Sequence, residues 1–92
     1  MKTVKYKLLP PFTIWAKTDA VILTGEQDDN LRDMFDHWFE SHDEIREQFE
    51  SVRAYKNGHI EALYMKDNKF FKGEHIPCDG EEYVAMSTYV GG

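Results

Sequence analysis

Acidic side chains recur at a helical spacing in the middle of the chain, and their pattern suggests a binding chemistry. Seven of them follow one another at intervals of four, three, four, three, four and three residues: Asp29, Asp33, Asp36, Glu40, Asp43, Glu47 and Glu50. At about 100° per residue, this spacing places the carboxylates on one face of an α-helix, about 5 Å apart along its axis. Because like charges at i,i+4 destabilise a helix, such a row indicates a role other than stability.

The spacing of this row is of the same order as that of the phosphates in DNA, which lie about 3.4 Å apart along each strand. Residues 26–50 contain ten of the seventeen acidic residues, opposed only by Arg32 and Arg46. We therefore predict that the segment imitates a nucleic-acid backbone. The predicted partner-binding, phosphate-mimicking residues are Asp29, Asp33, Asp36, Glu40, Asp43, Glu44, Glu47 and Glu50. The alternative is an ordinary solvated helix face.

The remaining side chains form no recognisable catalytic or metal-binding motif. His75, Cys78 and Asp79 lie close together in sequence, but no second pair of histidines or cysteines completes a zinc ligand set. We therefore expect no catalytic residue, no metal, no cofactor and no enzymatic activity. Gly91-Gly92 resembles the tails of ubiquitin-like proteins. Since no other ubiquitin-like pattern is visible, we interpret these two glycines as a frayed end.

Length, charge and cysteine content restrict the class of protein. Ninety-two residues, 41% of them hydrophobic, predict a single domain over residues 1–92. A formal net charge of −6 argues against direct binding to nucleic acid or to an anionic membrane. The single cysteine, Cys78, excludes an internal disulfide, and no apolar run is long enough for a membrane helix. We therefore expect a cytoplasmic protein.

The hydrophobic periodicity predicts an α+β fold. Residues 3–9 and 83–90 alternate as strands do, residues 12–15 are a short strand candidate, and residues 20–24 have the composition of a buried strand. Apolar residues then recur at helical spacings, which predicts either one long acidic helix over residues 28–53 or two short ones meeting at Ser41. Ser41 and Glu44 have the spacing of a capping box. Asn57-Gly58 predicts a turn, with further strands at residues 60–65 and 69–72. We expect a small, mostly antiparallel sheet packed against the acidic amphipathic helical segment.

The chain resembles the DNA-mimic inhibitors that bacteriophages encode against host nucleases, in particular those of the anti-restriction Arn type. The resemblance lies in the short acidic chain, in the α+β order, and in residues 28–40 and 43–50. It implies an inhibitor of a host restriction endonuclease or another DNA-binding protein, located in the host cytoplasm. We also expect a homodimer, because two-fold pairing would join two acidic edges into one strip. The alternative is a small protein-interaction module such as an immunity protein, an antitoxin or a transcription modulator.

Overall fold

Strands and short helices alternate along residues 1–88, which are the residues that the computed structural model describes. The strands are β1 (Lys2–Leu8), β2 (Ala20–Gly25), β3 (Tyr55–Lys56), β4 (His59–Ile60), β5 (Ala62–Lys66), β6 (Lys69–Phe71) and β7 (Glu82–Ser87). The helices are α1 (Phe12–Ala16), α2 (Leu31–Glu40) and α3 (Asp43–Ser51). Within this part of the chain, no helix is long and apolar enough to cross a membrane.

Five of the strands form one mixed sheet in the order β2-β1-β7-β5-β6, while β3 and β4 form a separate hairpin. The pairs β1–β2, β5–β6 and β5–β7 are antiparallel. β1 and β7 are parallel, with Tyr6 opposite Tyr83 and Leu8 opposite Ala85. The predicted α+β class, with a mostly antiparallel sheet packed against acidic amphipathic helices, is confirmed.

The core lies between one face of the sheet and the helices. β1 alternates strictly between buried and exposed residues, because successive side chains of a strand point to opposite faces. Its buried residues meet aromatic side chains of α2 and α3 in a single cluster; Tyr6 and Phe35, for example, pack edge to face at 5.3 Å. No helix within residues 1–88 covers the other face of the sheet, so the side chains there remain available to solvent or to a partner.

The predicted helical segment is two helices rather than one. α2 begins after Asn30, whose side chain accepts a hydrogen bond from the backbone N–H of Asp33 at 2.7 Å. It ends before Ser41, and α3 begins after His42. The expected capping box is absent: the Ser41 hydroxyl donates to the carbonyl of Trp38 at 3.2 Å, and no side chain caps α3. The two helices therefore meet at a corner near Ser41.

Two predictions about short segments need correction. Residues 12–15 do not form a strand but belong to the helix α1, in which Phe12 and Ala16, four residues apart, are both buried. Residues 20–24 form a strand at the edge of the sheet, with Val21 and Leu23 buried and Ile22 68% exposed. The predicted strand over residues 83–90 extends to Ser87 as β7, and its last two residues lie outside the described part.

A buried lysine ties the start of β1 to two loops. The Nζ of Lys2 donates hydrogen bonds to the carbonyls of Gln27 at 2.9 Å, Asp29 at 2.7 Å and Pro77 at 2.9 Å. Three acceptors match the three N–H groups of an ammonium. The side chain therefore fixes the loop before α2 and the loop before β7 against the same strand.

Candidate functional site

The predicted acidic row does not lie on one straight helix. Asp29 precedes α2, and its carboxylate accepts the backbone N–H of Glu26 at 2.9 Å. Asp33, Asp36 and Glu40 belong to α2, whereas Asp43, Glu44, Glu47 and Glu50 belong to α3. The break at Ser41 therefore interrupts the regular spacing on which the phosphate comparison depended.

Several of these carboxylates are already engaged within the chain. Arg46 forms ion pairs with Asp43 at 3.3 Å and with Glu50 at 3.2 Å, and His37 lies 3.7 Å from Glu40. Among residues 1–88, four of the predicted residues form no ion pair: Asp29, Asp33, Glu44 and Glu47. A contact between this surface and a partner stays a prediction.

Asp36 departs most clearly from the expected solvent-facing position, since its side chain is only 14% exposed. One carboxylate oxygen accepts the backbone N–H of Ile60 at 2.9 Å, and the other lies 2.9 Å from Nδ1 of His59. Burial raises the pKa of Asp36, and the hydrogen bond with His59 opposes that shift. This carboxylate fastens the β3–β4 hairpin to α2.

β7 occupies a central position in the sheet and leads toward the end of the printed sequence. It lies between β1 and β5, with Ser87 opposite Ala62 and Ala85 opposite Leu8. The backbone N–H of Leu9 donates to the carbonyl of Ala85 at 3.1 Å, so pairing continues to the end of β1. Five residues follow β7 in the sequence, the last two being Gly91-Gly92.

An apolar surface adjoins β7 on the face of the sheet that carries no helix. In the register of the sheet, Leu63 stands opposite Met86, and Met65 lies between Phe70 and Val84. Phe70 is 65% exposed and Leu63 is 38% exposed. We call these five residues the β5–β7 patch: Leu63, Met65, Phe70, Val84 and Met86. An exposed apolar group of this kind is typical of a protein-binding surface.

The carboxylate of Glu81 organises the start of β7. It accepts the backbone N–H of Cys78 at 2.6 Å and the hydroxyl of Tyr83 at 2.9 Å, and it lies 3.4 Å from Nζ of Lys66. The hydrogen bond from Cys78 is the main cause of a lowered Glu81 pKa. Nothing in the sequence pattern singled out this residue, because its three partners belong to different turns and strands.

The His75–Asp79 segment serves structural contacts. The ring of His75 lies 4.5 Å from that of Phe71, and its carbonyl accepts the backbone N–H of Leu31 at 2.9 Å, at the start of α2. Cys78 is a free, exposed thiol. Within residues 1–88, no three histidine, cysteine, aspartate or glutamate side chains lie close enough together to hold a metal ion.

Comparison with solved structures supplies the fold relationship that the sequence does not reveal. A crystal structure of small archaeal modifier protein 1 from Haloferax volcanii has a TM-score of 0.73, at 13% identity, with 97% of this chain and 100% of that chain covered. A second crystal structure, of SAMP1 from Haloferax volcanii, has a TM-score of 0.72, at 15% identity over 98% and 99% of the two chains. The solution structure of the Haloferax volcanii HVO 2177 protein has a TM-score of 0.69, at 12% identity over 99% and 87%. No family model and no curated protein matches the sequence.

These matches overturn the DNA-mimic interpretation. The chain folds like small archaeal modifier proteins over nearly its whole length, and the resemblance to phage anti-restriction inhibitors, the nuclease partner and the inhibitory function were therefore wrong. The homodimer was predicted from the same DNA-mimic role, so the argument for it no longer holds.

The premise behind the frayed-end interpretation also fails. Gly91-Gly92 itself lies outside the described residues, but residues 1–88 have a topology shared with the matched small modifier proteins, which no pattern in the sequence revealed. The parallel central strands β1 and β7, the antiparallel strands on either side and the helix across one face make this a β-grasp-like fold.

Proposed function

We propose that this chain is a ubiquitin-like protein modifier, attached to amino groups of target proteins through the carboxylate of Gly92. One observation carries the proposal: a β-grasp-like sheet whose central strand β7 is followed, after three intervening residues, by Gly91-Gly92. Glycine has no side chain, so such a tail enters a narrow active site where other residues would collide. The proposal requires that Gly92 carry a free carboxylate in the active form.

The chemistry follows from the low reactivity of a carboxylate. Attack of the Gly92 carboxylate on the α-phosphate of ATP gives an acyl adenylate and releases pyrophosphate. A lysine amine of the target then attacks the acyl carbon, an amide forms, and AMP and a proton leave. In this scheme the chain is the substrate of an E1-like activating enzyme and not a catalyst.

A sulfur-carrier role uses the same activated group. If hydrosulfide attacks the acyl carbon of the adenylate in place of an amine, AMP and a proton leave, and Gly92 ends as a thiocarboxylate that can donate its sulfur. The two roles differ in the nucleophile and share the fold, the tail and the activation step. We include the second role because the Gly-Gly tail serves either reaction, although the similar structures are of proteins named as modifiers.

The β5–β7 patch supports the proposal as the docking surface for the activating enzyme. It lies on β5, β6 and β7, the last of which leads directly to the tail. A shallow cavity of about 510 Å³ extends the patch toward β1, with Lys7, Met65, Glu82 and Val84 in its lining. An enzyme that binds there contacts β7, the strand that precedes the tail in the sequence. Because activation consumes ATP, we propose the cytoplasm as the site of action, where Cys78 stays reduced.

Reconstitution with an E1-like activating enzyme and ATP tests the proposal. The chain should stimulate exchange of labelled pyrophosphate into ATP, and a variant lacking Gly92 should not. A Glu47→Gln variant, altered on the opposite side of the molecule, is the matched control and should retain full exchange. Equal exchange with and without Gly92 would contradict the proposal. Intact-mass analysis after adding a sulfur donor distinguishes the carrier role, since one oxygen is then replaced by sulfur.

A further inference from the structure

A cavity of about 460 Å³ opens where the pairing of β5 with β6 ends. The last pair of that ladder is Tyr64 with Phe71. Beyond it the chain leaves the sheet and runs to the start of α2, where the backbone N–H of Arg32 donates to the carbonyl of Gly73 at 3.0 Å. The cavity lies between these segments, and its volume is within the range of about 300–1,000 Å³ typical of small-molecule sites.

Two buried hydrogen-bond donors of the cavity lining have no acceptor. They are Nε of Arg32 and the hydroxyl of Tyr64, and neither has a partner within residues 1–88. Tyr64 is only 1% exposed. In this part of the chain, no other buried side-chain nitrogen or oxygen is left unpaired. Because buried polar groups are nearly always hydrogen-bonded, two exceptions in the lining of one cavity indicate a missing ligand.

The chemistry of the two groups defines what that ligand must offer. A guanidinium has donors only and is permanently charged. Burial raises the pKa of Tyr64, so its hydroxyl keeps its proton and can donate. The Arg32 charge acts on this hydroxyl, which places the two groups near each other. A carboxylate supplies two acceptor oxygens and the opposite charge, and such charge-assisted hydrogen bonds are the strong ones.

The charges around the cavity favour a ligand with a single negative charge. Arg32 and Lys72 are balanced in the lining by Glu61 and Glu74. Glu74 contacts Nη1 of Arg32 at 3.3 Å but is 64% exposed, and an exposed ion pair of this kind contributes little. A ligand carboxylate can therefore displace Glu74 from Arg32. A phosphate dianion would bring a second charge close to two glutamates.

The rest of the lining is largely apolar. Ile60 is buried, Leu63 is 38% exposed, and Phe70 is 65% exposed. Apolar walls with a few placed polar groups are the usual composition of a site for a small organic molecule. The ligand should therefore carry an apolar body beside its carboxylate.

The two donors are held in place by the surrounding structure. A Cβ at Gly73 would lie 2.9 Å from the Cβ of Arg32, so the loop packs this closely because glycine has no side chain. The ring of Tyr64 lies edge to face with that of Tyr6, 6.0 Å away. Fixed donors lose little conformational freedom when they bind a ligand.

We propose that this cavity binds a small monocarboxylate with a compact apolar body. Its oxygens accept hydrogen bonds from Nε of Arg32 and from the hydroxyl of Tyr64, Glu74 is displaced, and the apolar body contacts Ile60, Leu63 and Phe70. The cavity shares Leu63 and Phe70 with the β5–β7 patch, but its donors belong to α2 and to the core face of β5. The inference stands independently of any chemistry at Gly92.

Titration of the isotopically labelled full chain with 3-phenylpropanoate tests the proposal. We expect saturable shifts of the Nε–H resonance of Arg32 and of the amides of Ala62 and Gly73, at millimolar affinity or better. The neutral 3-phenylpropanamide and inorganic phosphate should bind much more weakly. Equal affinity for the amide would overturn the carboxylate assignment, and tighter binding of phosphate would overturn the apolar ligand. The absence of saturable shifts would overturn the site.

Variants of the donors provide the complementary test. Tyr64→Phe removes a hydroxyl that bonds to nothing within residues 1–88, so stability should hold while affinity for the probe falls about fivefold or more. Tyr55→Phe, outside the cavity lining, is the matched control and should bind normally. Unchanged affinity of Tyr64→Phe would contradict the proposal.

Two exposed substitutions keep the test independent of the core. Glu74→Gln removes the competing carboxylate, so it should tighten binding of 3-phenylpropanoate severalfold, and weaker binding would contradict the displacement. Met86→Ala alters the β5–β7 patch outside the cavity lining and should leave affinity unchanged. A loss of affinity in this variant would place the probe on the patch and overturn the site.

A last probe distinguishes the source of the carboxylate. The dipeptide acetyl-Gly-Phe ends in the same phenylpropanoate group but represents the end of a protein chain. We expect it to bind no better than 3-phenylpropanoate, because the proposed ligand is a free small acid. Tighter binding of the dipeptide would assign the carboxylate to a partner chain and overturn the choice of ligand.

Discussion

Asp36 and His59, 23 positions apart in the sequence, are joined by a 2.9 Å contact between a carboxylate oxygen and Nδ1 of the ring. The other oxygen of Asp36 accepts the backbone N–H of Ile60. A residue whose spacing placed it in a solvent-facing acidic row therefore connects a helix to a hairpin. The acidic helices of this chain combine exposed charge with structural carboxylates, and a substitution series separates the two kinds.

Replacing Asp36 with alanine should destabilise the fold, whereas replacing Glu47 should not. Asp36→Ala leaves the N–H of the buried Ile60 without an acceptor, at a cost of about 1–3 kcal/mol. Glu47 forms no ion pair within the described residues and lies among like charges, so Glu47→Ala should change the free energy of unfolding by less than about 0.5 kcal/mol. Urea unfolding of both variants measures the difference. Equal stability of the two would show that Asp36 does not hold the hairpin.

Lys2 should contribute more to stability than any exposed lysine of the same strand. Lys2→Met leaves three buried or half-buried carbonyls without their donor, and the expected loss is about 3 kcal/mol. Lys5→Met is the control: the Lys5–Glu82 contact is 3.8 Å long and exposed, so its loss should cost less than about 1 kcal/mol. Thermal unfolding of the two variants gives the comparison. A Lys2→Met protein as stable as Lys5→Met would refute the anchoring role.

Stability should fall in acid partly because of Glu81. Folding lowers the pKa of this carboxyl below its ordinary value of 4.5, chiefly through the hydrogen bond from Cys78. At a pH between the pKa of Glu81 in the folded state and its pKa in the unfolded state, the unfolded chain binds more protons than the folded one. The contribution of Glu81 to the free energy of unfolding is therefore present above pH 4.5 and is lost as the pH falls through the pKa of the folded state.

The Glu81→Gln variant should therefore show a flatter dependence of unfolding free energy on pH in that window. Asp36 acts in the opposite sense, because burial raises its pKa, so the comparison must be made against the wild-type curve and not against a flat line. Parallel curves for wild type and Glu81→Gln would contradict the assigned shift.

The β5–β7 patch should matter for activation more than for folding. Phe70 is 65% exposed, so Phe70→Ala should cost less than about 1 kcal/mol of stability. It should nevertheless raise the KM for the chain in ATP–pyrophosphate exchange, because an exposed aromatic anchor is lost. Ile76→Ala, at a half-exposed site on the loop before β7, is the control and should leave the KM unchanged. Equal KM values for Phe70→Ala and wild type would contradict the proposal that the activating enzyme docks on the β5–β7 patch.

Local patterns predicted the elements whose geometry is local. The alternation over β1 appears in the structure as strict alternation of burial, and the turn at Asn57-Gly58 adopts positive φ at both residues. α1 was missed because five residues span little more than one helical turn, too short to show a period. The pairing of β1 with β7 joins residues nearly eighty positions apart, and no local pattern encodes such a contact.

The proposed functional site was harder to predict for a related reason. Gly91-Gly92 was visible in the sequence, but two glycines carry little information without the fold that presents them. The acidic row carried a stronger pattern, and its regular spacing suggested a continuous helix that the corner at Ser41 interrupts. Distinguishing structural from exposed carboxylates required the position of the β3–β4 hairpin, which lies far from α2 in sequence.

Peptide mapping of conjugates tests the central claim most directly. The last lysine or arginine of the chain is Lys72, so trypsin would leave residues 73–92 on a modified lysine, whereas chymotrypsin, which cleaves after tyrosine, would leave Val90-Gly91-Gly92. Conjugates purified from cells that express an N-terminally tagged chain should yield peptides with this three-residue remnant on lysine side chains. A tagged chain lacking Gly92 should yield none. Recovery of only unmodified chain, with a free Gly92 carboxylate and neither remnant nor thiocarboxylate, would contradict the account.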